Sequence, residues 1–351
     1  APEGQFRDLQ FGVPHNINAN VQLAMPLYNP QVYGVIENTK IAKELTLLQF
    51  QKSEEQVLYD ITMLYYNAQI LKHQLDFLES NMLNTQKLLK NMELLKEQLL
   101  AKGTDVSKVK LQAEQLNTQR ENVHNKYISV LNALKLNIGI SLERNMTVVS
   151  EIERQILTEN NVENILDLKI IQTQNKLLNS ELSTLNKSRF LPSLNLIASY
   201  GTTGFGYDKT PNNFLKFYPI GFAGLQLTYP LFNGTVTQRK INQKKLEISN
   251  NELQAQLIGD KNKMETENAL RRRTIANQTV INTENQITLA QSIYEQTILQ
   301  QKQGTATLTD ILLADNSLRE AQQNYLSAVI DYLKADLEIK KLTGTIMSIK
   351  N

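Results

Sequence analysis

A mainly α-helical fold of long coiled-coil hairpins, joined to a smaller part made of barrel-type β-strands, is predicted by this 351-residue sequence. Three observations predict it. The first is a proline-free stretch from Gln31 to Lys102 in which Leu64, Ala68, Leu71, Leu75, Leu78, Met82, Thr85, Leu89 and Met92 recur at alternating spacings of four and three, the mark of a sustained heptad seam. The second is an internal duplication. Met25-Pro26-Leu27-Tyr28-Asn29 returns as Tyr229-Pro230-Leu231-Phe232-Asn233, and each is followed by a long proline-free stretch, a Gly-Thr step and a shorter apolar-periodic stretch. The third is that all eight prolines fall within residues 2–30 or 192–230, where the period changes to that of a strand.

Residues 1–15 hold Pro2, Gly4, Gly12 and Pro14 and read as irregular. From Asn16 to Met25 the chain alternates strictly, with Ile17, Ala19, Val21, Leu23 and Met25 on one face and Asn16, Asn18, Asn20 and Gln22 on the other, which predicts a strand with one apolar and one polar face. The first long helix, Gln31 to Lys102, would run roughly 108 Å at 1.5 Å per residue, too long for a compact globule. A second row on it, Ile70, Phe77, Leu88 and Leu95, gives the helix a second flank, so it is expected to touch neighbours on two sides. Gly103-Thr104 marks a turn, Val106 to Asn137 the returning helix, Met146 to Ile152 a short strand, and Glu163 to Ser188 a further helix.

Two more segments alternate: Leu194, Leu196, Ala198 and Tyr200 against Ser193, Asn195 and Ser199, then Ala223, Leu225, Leu227 and Tyr229 against Gln226 and Thr228, with a loop expected at 201–220. Small polar residues opposite an apolar face, with aromatics near the strand ends, match the transmembrane β-barrel signature. The alternation alone leaves a soluble antiparallel sheet open. Thr235 to Gln303 is the second long helix, with Ala269, Ala276, Val280, Thr283, Ile287, Ala290 and Tyr294 on its seam, and Thr309 to Leu342 returns from Gly304. The chain is thereby divided into barrel strands and loops at 1–30 and 190–234, a first hairpin at 31–138, an equatorial segment at 139–162, a helix leading into the barrel at 163–189, a second hairpin at 235–343 and a tail at 344–351.

Thirty-seven basic against thirty-five acidic residues leave a net charge of +2, too balanced to point to nucleic acid. Arg271, Arg272 and Arg273 read as a solvated helix face. With no cysteine there is no disulfide, thiolate metal site or lipidated N-terminal cysteine. The apolar runs are too short for a membrane-spanning helix. His15, His73 and His124 lack metal-ligand spacing, and no nucleophile elbow, phosphate loop or H-E-x-x-H motif occurs. No cofactor, metal or enzymatic activity is therefore expected. Ala1 begins without a basic and apolar leader, so any signal peptide is expected to have been removed.

The doubled order of strand, Pro-Leu-aromatic-Asn, long helix, Gly-Thr turn and returning helix resembles the TolC-type outer-membrane efflux protein family across essentially the whole chain. Gln303-Gly304-Thr305-Ala306-Thr307-Leu308-Thr309-Asp310-Ile311-Leu312 resembles the family's second periplasmic turn. The resemblance implies a homotrimer in the outer membrane of a Gram-negative bacterium. In it each chain gives four strands to a twelve-stranded β-barrel and its helices to a periplasmic α-barrel. It also implies passive export of small molecules or proteins, driven by an inner-membrane pump through a periplasmic adaptor.

By the same resemblance, Gly103, Thr104, Gly304 and Thr305 are adaptor-facing hairpin tips, Pro26 and Pro230 mark the passage from barrel to helix, and Asp310, with Thr307 and Asp315, belongs to the periplasmic aperture. Thr307 three residues before Asp310 is also a plain capping arrangement, and the two roles are compatible. Asp315 reads as solvated. A ring of three Asp310 carboxylates is expected to raise their pKa values by repulsion. The sequence departs from the family at Ala306, where an arginine is expected, and at its start, where one helix and one strand fewer precede the first loop than precede the second. The chain is therefore expected to be part of a longer protein. The reading set against this one is a soluble coiled-coil tether, which would leave the strands without a task.

Overall fold

The computed structural model describes residues 15–149, 165–206 and 216–347. The elements are β1 (His15–Tyr28), α1 (Pro30–Glu97), α2 (Gly103–Asn137), α3 (Leu166–Phe190), β2 (Ser193–Gly206), β3 (Lys216–Thr228), α4 (Val236–Lys302) and α5 (Leu308–Leu342). The two long helices have 68 and 67 residues, and each is followed by one of 35. Two compact units form, one from residues 1–46 and 171–255, the other from 47–170 and 256–351.

The first unit holds one antiparallel sheet in the order β1-β2-β3. Its register puts Leu23 opposite Ala198 and Met25 opposite Leu196, then Leu196 opposite Leu225 and Leu194 opposite Leu227. Directly opposed residues share a face, so the apolar rows of three strands merge into one surface. It is open: Val21 is 79%, Leu225 66% and Leu227 68% exposed. The other face carries Asn20, whose amide donates to Ser199 Oγ at 3.5 Å, with Asn195 opposite Gln226; Ile220 and Phe222 interrupt this polar row towards the start of β3.

β2 and β3 reach further than the sequence predicted, because residues 201–206 and 216–220, expected as loop, pair in the ladder. The glycines that suggest a loop serve close approach here: a Cβ on Gly201 would stand 2.3 Å from the Ala19 carbonyl oxygen. Pro26 and Pro219 lie in β1 and β3, each with one edge unpaired among the described residues, and the central strand β2 has no proline, as a missing N–H requires.

In the second unit, the two rows of α1 face different neighbours along the middle of the helix, whereas towards its end Leu89 and Met92 of the first row join Leu88 and Leu95 of the second in one cluster. Ala68, Leu75 and Leu78 pack with Leu116, Val123, Tyr127, Leu131 and Leu134 of α2. Ile70 lies against Val280, Val329 and Leu333, and Leu88 and Met92 lie against Ala290, Tyr294, Ile311 and Leu318 of α4 and α5. The small residues of the α4 seam, Ala269 and Ala290, are buried, as close helix approach requires. The short strand expected at 146–152 is not formed at 146–149, where Val148 N–H instead donates to Tyr127 Oη at 3.4 Å; residues 150–152 lie outside the described residues. Arg273 is not solvated either. Its Nε lies 2.8 Å from Asp336 Oδ1, whose other oxygen is 3.2 Å from Lys340 Nζ, and its guanidinium sits over the Tyr332 ring, because residue 273 falls on the buried side of the α4·α5 pair.

Candidate functional site

The helical tips form by two different chemistries. At the end of α4, Gly304 adopts φ +76°, and Thr305 N–H reaches the Gln300 carbonyl at 2.9 Å while Gly304 N–H reaches Gln301 at 3.0 Å. This is a Schellman closure with glycine in the left-handed position. At the end of α1 the same two bonds run from Leu100 N–H to Leu95, at 2.8 Å, and from Leu99 N–H to Lys96, at 2.9 Å. The left-handed residue there is Leu99, at φ 63°. The turn therefore lies at 98–102 rather than at Gly103-Thr104, which open α2; the tip presents Leu99 and Leu100, 93% and 72% exposed. No glycine marks this turn, so the sequence reading missed it.

The N-terminus of α5 is closed by a capping box. Thr307 N–H donates to Asp310 Oδ2 at 2.8 Å, Thr307 Oγ1 donates to the same oxygen at 2.7 Å, and Asp310 N–H donates to Thr307 Oγ1 at 3.3 Å. The hydrogen bond from the Thr307 hydroxyl, then that from its backbone N–H, holds the exposed Asp310 carboxyl below its ordinary range. Within one chain the push is thus opposite to the one a carboxylate ring would exert.

Asp315 is buried, with 4% of its side chain exposed, and sits 2.9 Å from Arg319 Nε while accepting from Gln112 Nε2 of α2. The expectation that it is solvated fails because position 315 turns toward α2 and Tyr294, beside Ile311 and Leu318. Burial raises its carboxyl above the ordinary range, with Arg319 and then Gln112 opposing. Burial and the Asp315 charge push the neighbouring Tyr294 phenol up to about 12. Asn81 and Gln322 add a second buried polar bond between α1 and α5, at 2.8 Å. The signal available in the sequence was a polar residue on a seam: Gln112 stands between Val109 and Leu116.

Pro26 lies inside β1, opposite Asn195, and Leu27 is bulged out before Tyr28. The passage to helix is made one step later. Asn29 accepts from Gln31 N–H at 2.9 Å, and Pro30 takes the first helical position, where a missing N–H costs nothing. Pro230 follows β3 and precedes a turn in which Gly234 and Thr235 both adopt positive φ. No group of histidine and carboxylate residues fit for a metal occurs among the described residues, and no described helix is long and apolar enough to cross a membrane.

Residues 179–345 match the profile of the family described as "Outer membrane efflux protein". That segment, a little under half of the chain, is similar to this family. No curated protein matches the chain. Three solved structures share the fold of this chain. The outer membrane protein VceC from Vibrio cholerae is 15% identical, with a TM-score of 0.72 over 94% of this chain and 87% of its own. The Campylobacter jejuni CmeC outer membrane channel is 14% identical, with 0.74 over 94% and 71%. The Neisseria gonorrhoeae MtrE outer membrane channel, solved in its open state, is 14% identical, with 0.71 over 95% and 80%. The chain thus shares the fold of these outer membrane channels.

Proposed function

We propose that this chain forms the exit duct of a tripartite efflux or secretion system in the outer membrane of a Gram-negative bacterium, as a homotrimer that passes small molecules or proteins without catalysing a reaction. The observation that carries the reading is the merged apolar face of β1, β2 and β3. Strands of 14, 14 and 13 residues exceed the roughly 9–11 needed to cross a bilayer, and their apolar rows stand together and exposed. An open edge is untenable in lipid, so the edges of β1 and β3 left unpaired among the described residues require further strands.

The α4 helix supports assembly by a separate route. Leu246, Leu253, Leu257 and Met264 repeat at heptad spacing and are 73%, 61%, 67% and 54% exposed in a single chain, a seam without its partner. The tips at Leu99-Leu100 and Gly304-Thr305 are the surfaces offered to a periplasmic adaptor, through which an inner-membrane pump drives export. Asp310 and Thr307 line the aperture, and Asp315, held inside the hairpin pair, steadies it from behind. The test is extraction: the protein should leave the outer-membrane fraction only with detergent and scatter light as a trimer. A monomer that stays in aqueous solution would refute it.

A further inference from the structure

Glu55 on α1 is 8% exposed, and its carboxylate lines a cleft of about 600 Å³ walled by α1, the start of α3, α4 and α5. All of this lining lies within one compact unit. The volume falls in the range of roughly 300–1,000 Å³ typical of small-ligand sites. Three lysines share the cleft, and each is already engaged. Lys52 pairs with Asp167, Lys261 lies 3.7 Å from Glu265, and Lys341 donates to Gln56 Oε1 at 2.8 Å while sitting 4.7 Å from the centre of the Tyr59 ring. The Asn262 amide is turned to the Leu342 carbonyl.

No described group donates a hydrogen bond to Glu55. Burial, and then the charge of Asp167, raises its carboxyl above the ordinary range against the opposing pull of Lys341 and Lys52. The Glu55 carboxylate is thus partly desolvated with no protein donor on it, and a ligand that brings N–H groups supplies charge-assisted hydrogen bonds there. Beside this carboxylate the cleft has an apolar wall, from Ile165, Leu166, Ile258 and Leu342.

We propose that the Glu55 cleft is a binding site for a small organic cation, an ammonium or guanidinium group on an apolar stem, with the N–H groups on the carboxylate and the stem against Ile258 and Leu342. A bare divalent ion does not suit the site, because calcium takes about six to eight oxygens and the other two carboxylates of the lining, Asp167 and Glu265, are already paired with Lys52 and Lys261. A neutral apolar ligand would bring no N–H group to Glu55. The site is independent of conduction, so its failure would leave the duct reading intact.

The probe is hexylammonium, titrated calorimetrically into the whole protein in phosphatidylcholine nanodiscs at neutral pH, with hexanol as the uncharged stem and methylammonium as the stemless cation. Saturable binding of hexylammonium is expected, at least tenfold tighter than either control. Glu55→Gln, of nearly the same shape, should weaken it at least tenfold while the helical melting curve is unchanged. Equal hexylammonium affinity in wild type and Glu55→Gln overturns the proposal. So does hexanol bound by the wild type as tightly as hexylammonium, a result that does not depend on the variant folding.

Discussion

Leu99 holds a left-handed backbone, which costs an L-residue about 1–2 kcal/mol, and with 93% of its surface exposed it recovers little by packing. Leu99→Gly removes that strain at the expense of some chain entropy, so the helical melting midpoint should rise, by the equivalent of up to about 1 kcal/mol. Arg319→Met tests the buried pair differently. It strips Asp315 of its neighbouring cation, and breaking a buried pair in this way costs about 3–5 kcal/mol. The carboxyl of Asp315 already lies above its ordinary value, so its burial is free of penalty below the ordinary carboxylate pKa and increasingly costly as pH rises through the folded value. The loss of stability in Arg319→Met, read from denaturant midpoints, should therefore be greatest at neutral pH and shrink on acidification; a loss independent of pH would mean that Arg319 acts only by packing. None of this was legible in sequence, since an aspartate between Ala314 and Asn316 carries no mark of what α2 places against it.

Strands and helices were more legible, for a physical reason. A heptad seam is a property of one helix, and the buried Ala68, Leu75, Leu78, Ala269 and Val280 can be read without knowing their partners. Strand ends depend on the neighbouring strand. Gly201, Thr202, Thr203 and Gly204 look like a turn, yet pair with β1, the glycines standing where a Cβ would meet Ala19 and Asn20 at 201 and the Phe217 ring at 204. The register makes the face assignment testable. Arginine at Leu23, Leu196 or Leu227 should cost about 2–4 kcal/mol near the bilayer midplane, whereas arginine at Asn20, Asn195 or Gln226 should be mild in the same refolding assay into lipid vesicles; equal tolerance on both faces would identify a water-exposed sheet. At the head of α5, Thr307→Ala removes the acceptor for Asp310 N–H and should cost about 1 kcal/mol of helix stability, seen as faster amide exchange confined to the first turn.

On the scale of the whole molecule, two kinds of surface stand without cover among the described residues, the strand face and the heptad row of α4, and in the proposed trimer lipid would cover the first and neighbouring copies the second. In the proposed trimer three Asp310 carboxylates would come together, each held ionised by its own Thr307 cap. The cap contribution is present above the ordinary carboxylate pKa and is lost only as pH falls through the lowered folded value, so fixed negative charge persists at the mouth through mildly acid pH, against which mutual repulsion works. Single-channel recording of the protein in a planar lipid bilayer is the direct test of the account. Discrete conductance steps that favour cations are expected, with that preference weakened in Asp310→Asn while the steps remain. Protein that inserts no conducting unit at any potential, in lipid that supports other outer-membrane channels, would contradict the claim that this chain forms a duct.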